Sequence, residues 1–214
     1  MRGQGFLSGV DDLCEWRCDV VVKTLIINGS PRKDGDTAVL ISEFKKKIAH
    51  ETVEISAYRA DIEPCNDCRA CRNKKGCKIK DEMQLIYADD FDNVIIASPL
   101  YMSNLTSPLV GLASRLQAYY CAKRFLKDEF HLKEKKAALI LVGGGDGGPA
   151  EAIRLSQWLF KKLNAYGFEK NMVFSLKTDE IPAREDTEAI KRVQEIAVNL
   201  GSEAFGRDCP VLDL

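Results

Sequence analysis

The sequence predicts an α/β fold in which one parallel sheet is covered by helices on both faces. Three observations support this prediction: apolar runs rich in β-branched residues, segments with helical apolar spacing between them, and loops rich in glycine, serine or proline after several runs. Continuous apolar runs are typical of strands buried on both faces, and strands that alternate with helices form right-handed parallel crossovers. A chain of 214 residues suits one such domain.

Five segments have the character of strands. The first (VVVKTLIIN), third (NVIIAS) and fourth (AALILV) are nearly continuous apolar runs, whereas the second (VEISAY) alternates like a shorter strand. The predicted strands span residues 20–28, 53–58, 93–98, 137–142 and 172–176.

Segments with helical spacing of apolar residues follow the strands. The predicted helices cover residues 37–49, 81–91 and 105–120, and two more are marked by Ala152, Leu155, Leu159 and Leu163 and by Ile190, Val193, Ala197 and Leu200. Five strands and five helices fit a flavodoxin-like, three-layer, doubly wound sheet with the strand order 2-1-3-4-5. We therefore expect a domain at residues 20–206, an N-terminal extension or arm at 1–19 and a C-terminal tail at 207–214.

Charge and composition exclude several classes of partner. Lys and Arg total 31 against 32 for Asp and Glu, so there is no basic field for nucleic acid or an anionic membrane. No apolar run approaches the ~20 residues that span a bilayer, and residues 1–19 lack the apolar core of a secretory signal. We therefore expect a cytoplasmic protein. With only two histidines, His50 and His131, mechanisms built on a Ser–His or Cys–His pair are disfavoured.

The fold predicts where a ligand lies. In a doubly wound sheet this is beyond the carboxyl ends of the strands, where the strand order reverses. Three unusual loops leave the sheet there: residues 29–37 (GSPRKDGDT), 98–104 (SPLYMSN) and 143–148 (GGGDGG). Their convergence is stronger evidence than any one of them.

The first loop has the features of an anion site. It ends at a helix start, where free backbone N–H groups and the helix dipole attract negative charge. Ser30 and Thr37 add hydroxyl groups and Arg32 adds charge, so a phosphate monoester is the expected guest, with a plain capped helix after a β-turn as the alternative. The glycine run allows close backbone approach to a flat ring that Tyr101 and Met102 can cover, unless it is only a flexible connection and Tyr101 packs on the surface.

A cysteine-rich insertion at residues 64–80 interrupts the α/β pattern. Its cysteines, Cys65, Cys68, Cys71 and Cys77, have the compact spacing of a [4Fe–4S] site. Zinc, free thiols or a disulfide are the alternatives, although zinc sites more often pair two CxxC knuckles across a longer loop. The surrounding Arg and Lys residues favour thiolates and can steer an acidic redox partner. We expect Cys14, Cys18, Cys121 and Cys209 to be ordinary thiols or packing residues.

Three segments together resemble the NADPH-dependent FMN reductase family, and within it the iron–sulfur flavoproteins. They are GSPRKDGDT, CNDCRACRNKKGC with KIKDEMQ, and ASPLYMSNLTSPL. The resemblance covers about residues 22–200. It implies that Ser30, Arg32, Asp36 and Thr37 hold the FMN phosphate. It also implies that Pro99, Leu100, Tyr101, Met102 and Ser103 border the ring and that Gly143, Gly144, Gly145 and Asp146 face its far edge. Homodimers or homotetramers with flavin sites near subunit interfaces are implied too.

Two positions depart from the family pattern. Asp36 stands where the family usually has Asn, and we expect it to turn inward as the N-cap of the helix that begins at Thr37. Ser114-Arg115 replaces the usual Asp-Arg, and we expect only a lost surface pair.

The resemblance and the loops together predict an oxidoreductase in which NAD(P)H reduces bound FMN, which then reduces a flavin, quinone or other small acceptor. The alternative is an iron–sulfur flavoprotein that takes electrons from ferredoxin through a [4Fe–4S] cluster and FMN. A third hypothesis is a zinc-stabilised binding module that has lost the flavin.

Overall fold

A computed structural model describes residues 22–145 and 147–201. Its strands are β1 (Lys23–Asn28), β2 (Glu51–Ser56), β3 (Asn93–Pro99), β4 (Lys135–Val142), β5 (Ala165–Tyr166) and β6 (Met172–Ser175). Its helices are α1 (Asp36–Lys47), α2 (Met83–Tyr87), α3 (Ser107–Ser114), α4 (Gln117–Cys121), α5 (Ala150–Lys162) and α6 (Thr187–Gly201). Short 3₁₀ turns lie at Ala70–Arg72 and Phe168–Lys170, and a π-helical turn lies at Ala122–Leu126.

The sheet is parallel, and its order confirms the predicted topology. β2 pairs with β1, β1 with β3 and β3 with β4. Two short strands share the predicted fifth position, because β5 pairs with the start of β4 and β6 pairs with its end. Between them the chain turns at Gly167, whose φ of 79° is readily adopted by glycine.

Each central strand contributes to two hydrophobic cores because successive side chains point to opposite faces. In β1, Leu25 and Ile27 pack beneath α2, α3 and α5, whereas Ile26 packs beneath α1 and α6. All three are at least 97% buried, and each contributes about 1.5–3 kcal/mol of burial free energy. The apolar runs therefore form the middle of a three-layer domain and place their carboxyl ends at one edge.

Several helix bounds differ from the prediction. The segment predicted as one helix at residues 105–120 forms two, α3 and α4, and the helix predicted at 81–91 is the shorter α2. The predicted arm, the predicted tail, Asp146, and the cysteines Cys14, Cys18 and Cys209 lie outside the described residues. In the part of the chain that is described, no helix is long and apolar enough to cross a membrane.

Candidate functional site

The first loop is organised by hydrogen bonds that start from the end of β1. The side-chain oxygen of buried Asn28 accepts from the backbone N–H of Ser30 at 2.8 Å. The amide nitrogen of Asn28 donates to Glu54 Oε1 at 2.7 Å, and Lys45 holds the other oxygen of Glu54. Burial would raise the pKa of Glu54, but these two hydrogen bonds lower it. The loop is therefore braced by an ionised carboxylate on β2.

Helix α1 begins one residue earlier than predicted, and the role predicted for Asp36 is wrong. The N-cap is Gly35, which has an extended backbone and, among the described residues, no side-chain capping hydrogen bond. Asp36 is the first helical residue, and its Oδ1 accepts from the backbone N–H of Ala183 at 2.8 Å. Its carboxylate therefore ties the α1 start to the segment before α6 and leaves the helix N–H groups for another acceptor.

The second loop is a tight turn with two left-handed residues. Tyr101 and Asn104 exchange backbone hydrogen bonds of 2.9 and 3.1 Å. Met102 and Ser103, between them, have φ values of 53° and 60°, which non-glycine residues rarely adopt. Met102 is fully exposed and Tyr101 is 46% exposed. Uncommon backbone conformations of this kind often occur at ligand sites, where surrounding structure maintains them.

The first and second loops are joined at Gly29. Its carbonyl accepts from Thr106 Oγ1 at 2.8 Å, and its N–H donates to Ala97 at 2.7 Å. A Cβ at Gly29 would lie 2.7 Å from Leu109 Cδ1 and 2.9 Å from Ser98 Oγ. Glycine is therefore required here so that β1 can end against the start of α3.

The third loop lies beside a segment that sequence reasoning missed. The carbonyl of Gly143 accepts from the N–H of Thr178 at 2.9 Å, and that of Gly144 accepts from Asp179 at 3.1 Å. A Cβ at Gly144 would lie 2.6 Å from an Asp179 carboxylate oxygen. Thr178 and Asp179 follow β6 at the same sheet edge, so the rule that located the other loops could have found them.

These loops surround one cleft of about 570 Å³, including its mouth toward solvent. Predicted residues that line it are Ser30, Arg32, Asp36, Thr37, Pro99, Leu100, Tyr101, Gly143 and Gly144; further lining comes from Pro31, Gly35, Val142, Thr178 and Asp179. Met102, Ser103 and Gly145 are in the same loops but do not line the cleft. Buried hydroxyl groups at one end and bare glycine backbone at the other suit an anion and a flat ring.

The cysteine segment packs against α3 and α4. Pro64 lies against Gly111, where a Cβ would come within 3.3 Å of the proline ring. The N–H of Cys65 donates to Ser114 Oγ at 2.9 Å, and the 3₁₀ turn that contains Cys71 packs on α4. The same helix that starts beneath the cleft therefore also holds the cysteine segment.

Five cysteines line one pocket beside this helix pair. Cys65, Cys68, Cys71 and Cys77 are joined there by Cys121, which is 97% buried and was predicted only to pack. Burial, and then hydrogen bonding with Cys121, raises the pKa of Cys71 to about 12. The lowered thiol pKa expected from nearby cations is therefore not found at Cys71. Helical register from Leu112 and Leu116 does not place Cys121 on their face, so only the fold reveals that Cys121 is buried and close to Cys71.

Arg115 is a buried member of this pocket, so the expectation of a lost surface pair at Ser114-Arg115 is wrong. Arg115 is 1% exposed and forms two hydrogen bonds with Asp81, of 2.6 and 3.2 Å. It also donates to the carbonyls of Glu63 and Ile79. Burial lowers the pKa of Arg115, but the hydrogen bond with Asp81, and then the interaction with Cys77, raise it above its ordinary value. Ser114 contributes the hydrogen bond to Cys65.

Part of the positive charge on the cysteine segment is paired locally. Lys75 binds Asp128 at 2.6 Å and lies over the Phe130 ring, and Arg69 pairs with Asp67. Arg72 lies 5.0 Å from the centre of the Phe125 ring. The contacts of Lys75 and Arg72 attach the segment to the residues after α4, and the ion pairs of Lys75 and Arg69 reduce the charge available for steering a partner.

The cysteine sulfurs do not converge on a single point. Within residues 22–145 and 147–201, no three His, Cys, Asp or Glu side chains are grouped so as to hold one metal ion. In a [4Fe–4S] cluster each thiolate binds a different iron, so its ligands surround a wider volume than the ligands of one zinc ion. The pocket chemistry, thiols beside cations, suits such a cluster.

The fold and the cleft define the class of protein. A doubly wound parallel sheet with a loop that leads into a helix start, and with a cleft at the reversal of strand order, is the architecture of flavodoxin-like proteins.

Comparisons with known proteins agree with this class and narrow it. Residues 22–178 match the model of the NADPH-dependent FMN reductase family, and the chain belongs to this family. It is 31% identical to an iron–sulfur flavoprotein of Methanosarcina thermophila, over 88% of this chain and 94% of that protein.

Solved structures support the fold. An NAD(P)H:quinone oxidoreductase from Methanothermobacter marburgensis has a TM-score of 0.63 at 14% identity, covering 84% of this chain and 98% of that one. An FMN-dependent NADH-azoreductase from Bacillus anthracis, in complex with FMN, has a TM-score of 0.61 at 19% identity, covering 84% and 99%.

Proposed function

We propose that the protein is an FMN-dependent oxidoreductase of the iron–sulfur flavoprotein type, with FMN in the cleft and a [4Fe–4S] cluster at Cys65, Cys68, Cys71 and Cys77. One observation carries the proposal: α3 contacts both sites. Its residue Leu109 lies beneath Gly29 at the cleft, and Gly111 and Ser114 hold the first residues of the cysteine segment. One helix would thus fix the FMN site and the cluster site relative to each other.

The cleft has the donors that an FMN phosphate needs. The phosphate would accept hydrogen bonds from the N–H groups at the start of α1 and from the hydroxyls of Ser30 and Thr37, both at least 97% buried. Arg32 would add positive charge from the exposed side of the loop. When bound, FMN supplies a ring that accepts a hydride or single electrons.

The chain's role at the ring is to orient it and to limit water access. Leu100 is held to β4 by a hydrogen bond from its N–H to Val142 at 2.7 Å, so the second loop is fixed at one side of the ring position. Gly143 and Gly144 bring backbone close at the other side. Because the cofactor carries the reaction, no histidine or other acid–base residue of the chain is required.

The electron donor defines two candidate functions. A nicotinamide donor is favoured by the half-exposed Tyr101 and the open mouth of the cleft, because they leave room for a second planar reactant. A protein donor such as ferredoxin is favoured by exposed Lys74, Lys78 and Lys80 beside the cysteine pocket, because acidic redox proteins bind basic surfaces. A homodimer or homotetramer stays a prediction.

An anaerobic preparation tests the proposal directly. We expect one FMN, four irons and four labile sulfides per chain, and visible absorption from both groups. A colourless protein that does not bind added FMN would reject the flavin site, and stoichiometric zinc without iron would reject the cluster. Rapid bleaching by NADPH would select the nicotinamide donor, whereas reduction only by ferredoxin or dithionite would select the protein donor.

Variants assign each group to its site. Cys68→Ala is expected to remove iron and leave FMN bound, whereas Thr37→Val is expected to weaken FMN binding and leave iron unchanged. Cys121→Ala is the matched control for the first variant, because this fifth cysteine lines the pocket but lies outside the spaced motif. Loss of both groups in either variant would point to a folding defect instead.

A further inference from the structure

The guanidinium of Arg115 retains one unused hydrogen-bond donor beside the cysteine pocket. Four of its five N–H groups are used: Nη1 donates to Glu63 O and Asp81 Oδ2, and Nη2 donates to Ile79 O and Asp81 Oδ1. The fifth, on Nε, is buried and has no hydrogen-bond partner among the described residues. A buried unsatisfied donor on a charged group is costly, and the acceptor that the pocket offers is the sulfur of Cys77, with which Arg115 also interacts.

Arg115 also closes the cysteine segment. Its hydrogen bonds reach Glu63, directly before the segment, and Ile79 and Asp81 at its end. Both ends are thereby held against α3 by one side chain that is 99% buried. Tyr87 holds the Arg115 backbone in turn, since its hydroxyl donates to the Arg115 carbonyl at 2.6 Å. The guanidinium therefore has a fixed position relative to the pocket.

Cys77 is the cysteine that adjoins this charge. It lines the same pocket as Arg115, and the two side chains interact. It lies two residues before Ile79, whose carbonyl accepts from Arg115. The other cations near the cysteines, including Arg72 and Lys78, are exposed, so water screens their fields.

We propose that Arg115, besides closing the cysteine segment, is a positioning residue of the cluster whose buried positive charge raises the cluster's reduction potential. This inference rests on the proposed function. A cluster gains one negative charge on reduction, so a fixed cation beside a ligand stabilises the reduced form. Asp81 has the opposite sign and stabilises the oxidised form.

The two members of the ion pair therefore have opposite expected effects on the potential. Arg115→Gln is expected to lower the equilibrium constant for cluster reduction at least tenfold, a shift of about 59 mV to more negative potential for a one-electron couple. Arg115→Lys keeps the charge and should give a smaller negative shift. Asp81→Asn should shift the potential in the positive direction. If Arg115 only closes the segment, Arg115→Gln and Asp81→Asn loosen it alike and shift the potential in the same direction.

The experiment is an anaerobic redox titration of each holoprotein, with the cluster followed by electron paramagnetic resonance and with iron and FMN content measured in parallel. Lys74→Gln is the matched control, because it removes an exposed cation from the same segment that does not line the cysteine pocket, and it is expected to leave the potential unchanged. Bound FMN reports that each variant is folded.

The outcomes separate this inference from the proposed function. Opposite shifts for Arg115→Gln and Asp81→Asn, or for Arg115→Lys and Asp81→Asn where the Gln variant does not fold, support the inference. Unchanged potentials, shifts in the same direction, or loss of iron from both Arg115 variants with FMN retained overturn it and leave Arg115 as a structural clasp. A wild-type protein with FMN but without iron refutes the cluster itself, and the inference with it.

Discussion

The cleft and the cysteine pocket are held together by different kinds of interaction. The loops of the cleft are joined by backbone hydrogen bonds between strand ends: Gly29 to Ala97, Leu100 to Val142, and Gly143 to Ser175, all 2.7–2.8 Å. Among the residues that the structure describes, the cysteine segment has no such ladder and is held by side chains, chiefly those of Arg115 and Ser114. The cleft is thus an extension of the sheet, whereas the pocket depends on a few side chains and can be disrupted separately.

The largest expected effect tests this dependence. Arg115→Ala leaves the buried carboxylate of Asp81 without its partner, and we expect the free energy of unfolding to fall by about 3–5 kcal/mol. Urea unfolding measures the change. Lys74→Ala, at an exposed position of the same segment, should change stability by less than about 0.5 kcal/mol. Equal effects of the two substitutions would contradict the special role of the buried pair.

A second prediction tests the backbone construction of the cleft. Gly29→Ala places a Cβ 2.7 Å from Leu109 Cδ1, so the buried Leu109 side chain or α3 itself must move, and we expect a loss of about 1–3 kcal/mol together with weaker FMN binding. Unfolding curves and a flavin fluorescence titration measure these effects. At Gly148, where a Cβ would meet nothing within 4 Å, the alanine variant is the control. Unaltered FMN affinity in Gly29→Ala would show that the packing of Gly29 on α3 does not affect the cleft.

The same contrast explains what the sequence could predict. Apolar runs such as residues 93–98 predict buried strands, and strand order then predicts which loops meet, so most of the cleft followed from topology. The metal-binding role of the four motif cysteines was predicted from their spacing alone. By contrast, the partners of Arg115 and Asp36 lie 34 and 147 residues away, and no local pattern encodes such contacts. Local preference favoured Asp36 as an N-cap, but a tertiary hydrogen bond to Ala183 determined its role.

The third prediction concerns pH. Burial would raise the pKa of Asp81, but its hydrogen bond with Arg115 lowers the folded-state pKa below the ordinary 3.8. The unfolded chain therefore binds more protons in acid, so this contribution to stability is present above about pH 4 and is lost as the pH falls through the folded-state pKa. Urea midpoints at pH 7 and pH 3 should differ more in wild type than in Asp81→Asn. The same pH dependence in both proteins would assign acid unfolding to other carboxylates.

A smaller effect is expected at the start of α1. A carboxylate about 6 Å from a phosphate costs about 3 kcal/mol per unit charge at an effective dielectric of 20, and solvent at half-buried Asp36 reduces this. Asp36→Asn removes the charge but keeps an oxygen for the N–H of Ala183. We therefore expect FMN to bind about three to ten times more tightly, measured by flavin fluorescence. Unchanged or weaker binding would show that this charge does not act on the phosphate, and Asp34→Asn, fully outside the cleft, is the charge-matched control.

The smallest effect is expected at Cys121 and concerns which thiols belong to the pocket's chemistry. Cys121 is buried beside Cys71, so alanine removes some packing and should lower stability by about 1 kcal/mol. Because Cys121 is fixed at the end of α4, whereas the motif cysteines share one irregular segment, we expect iron content to be unchanged in Cys121→Ala and lost in Cys71→Ala. Iron and sulfide analysis measures both. If iron is retained in Cys71→Ala but lost from the double variant Cys71→Ala with Cys121→Ala, then Cys121 can replace Cys71 as a ligand. In that case the pocket, and not the spacing of the motif, selects the four thiolates.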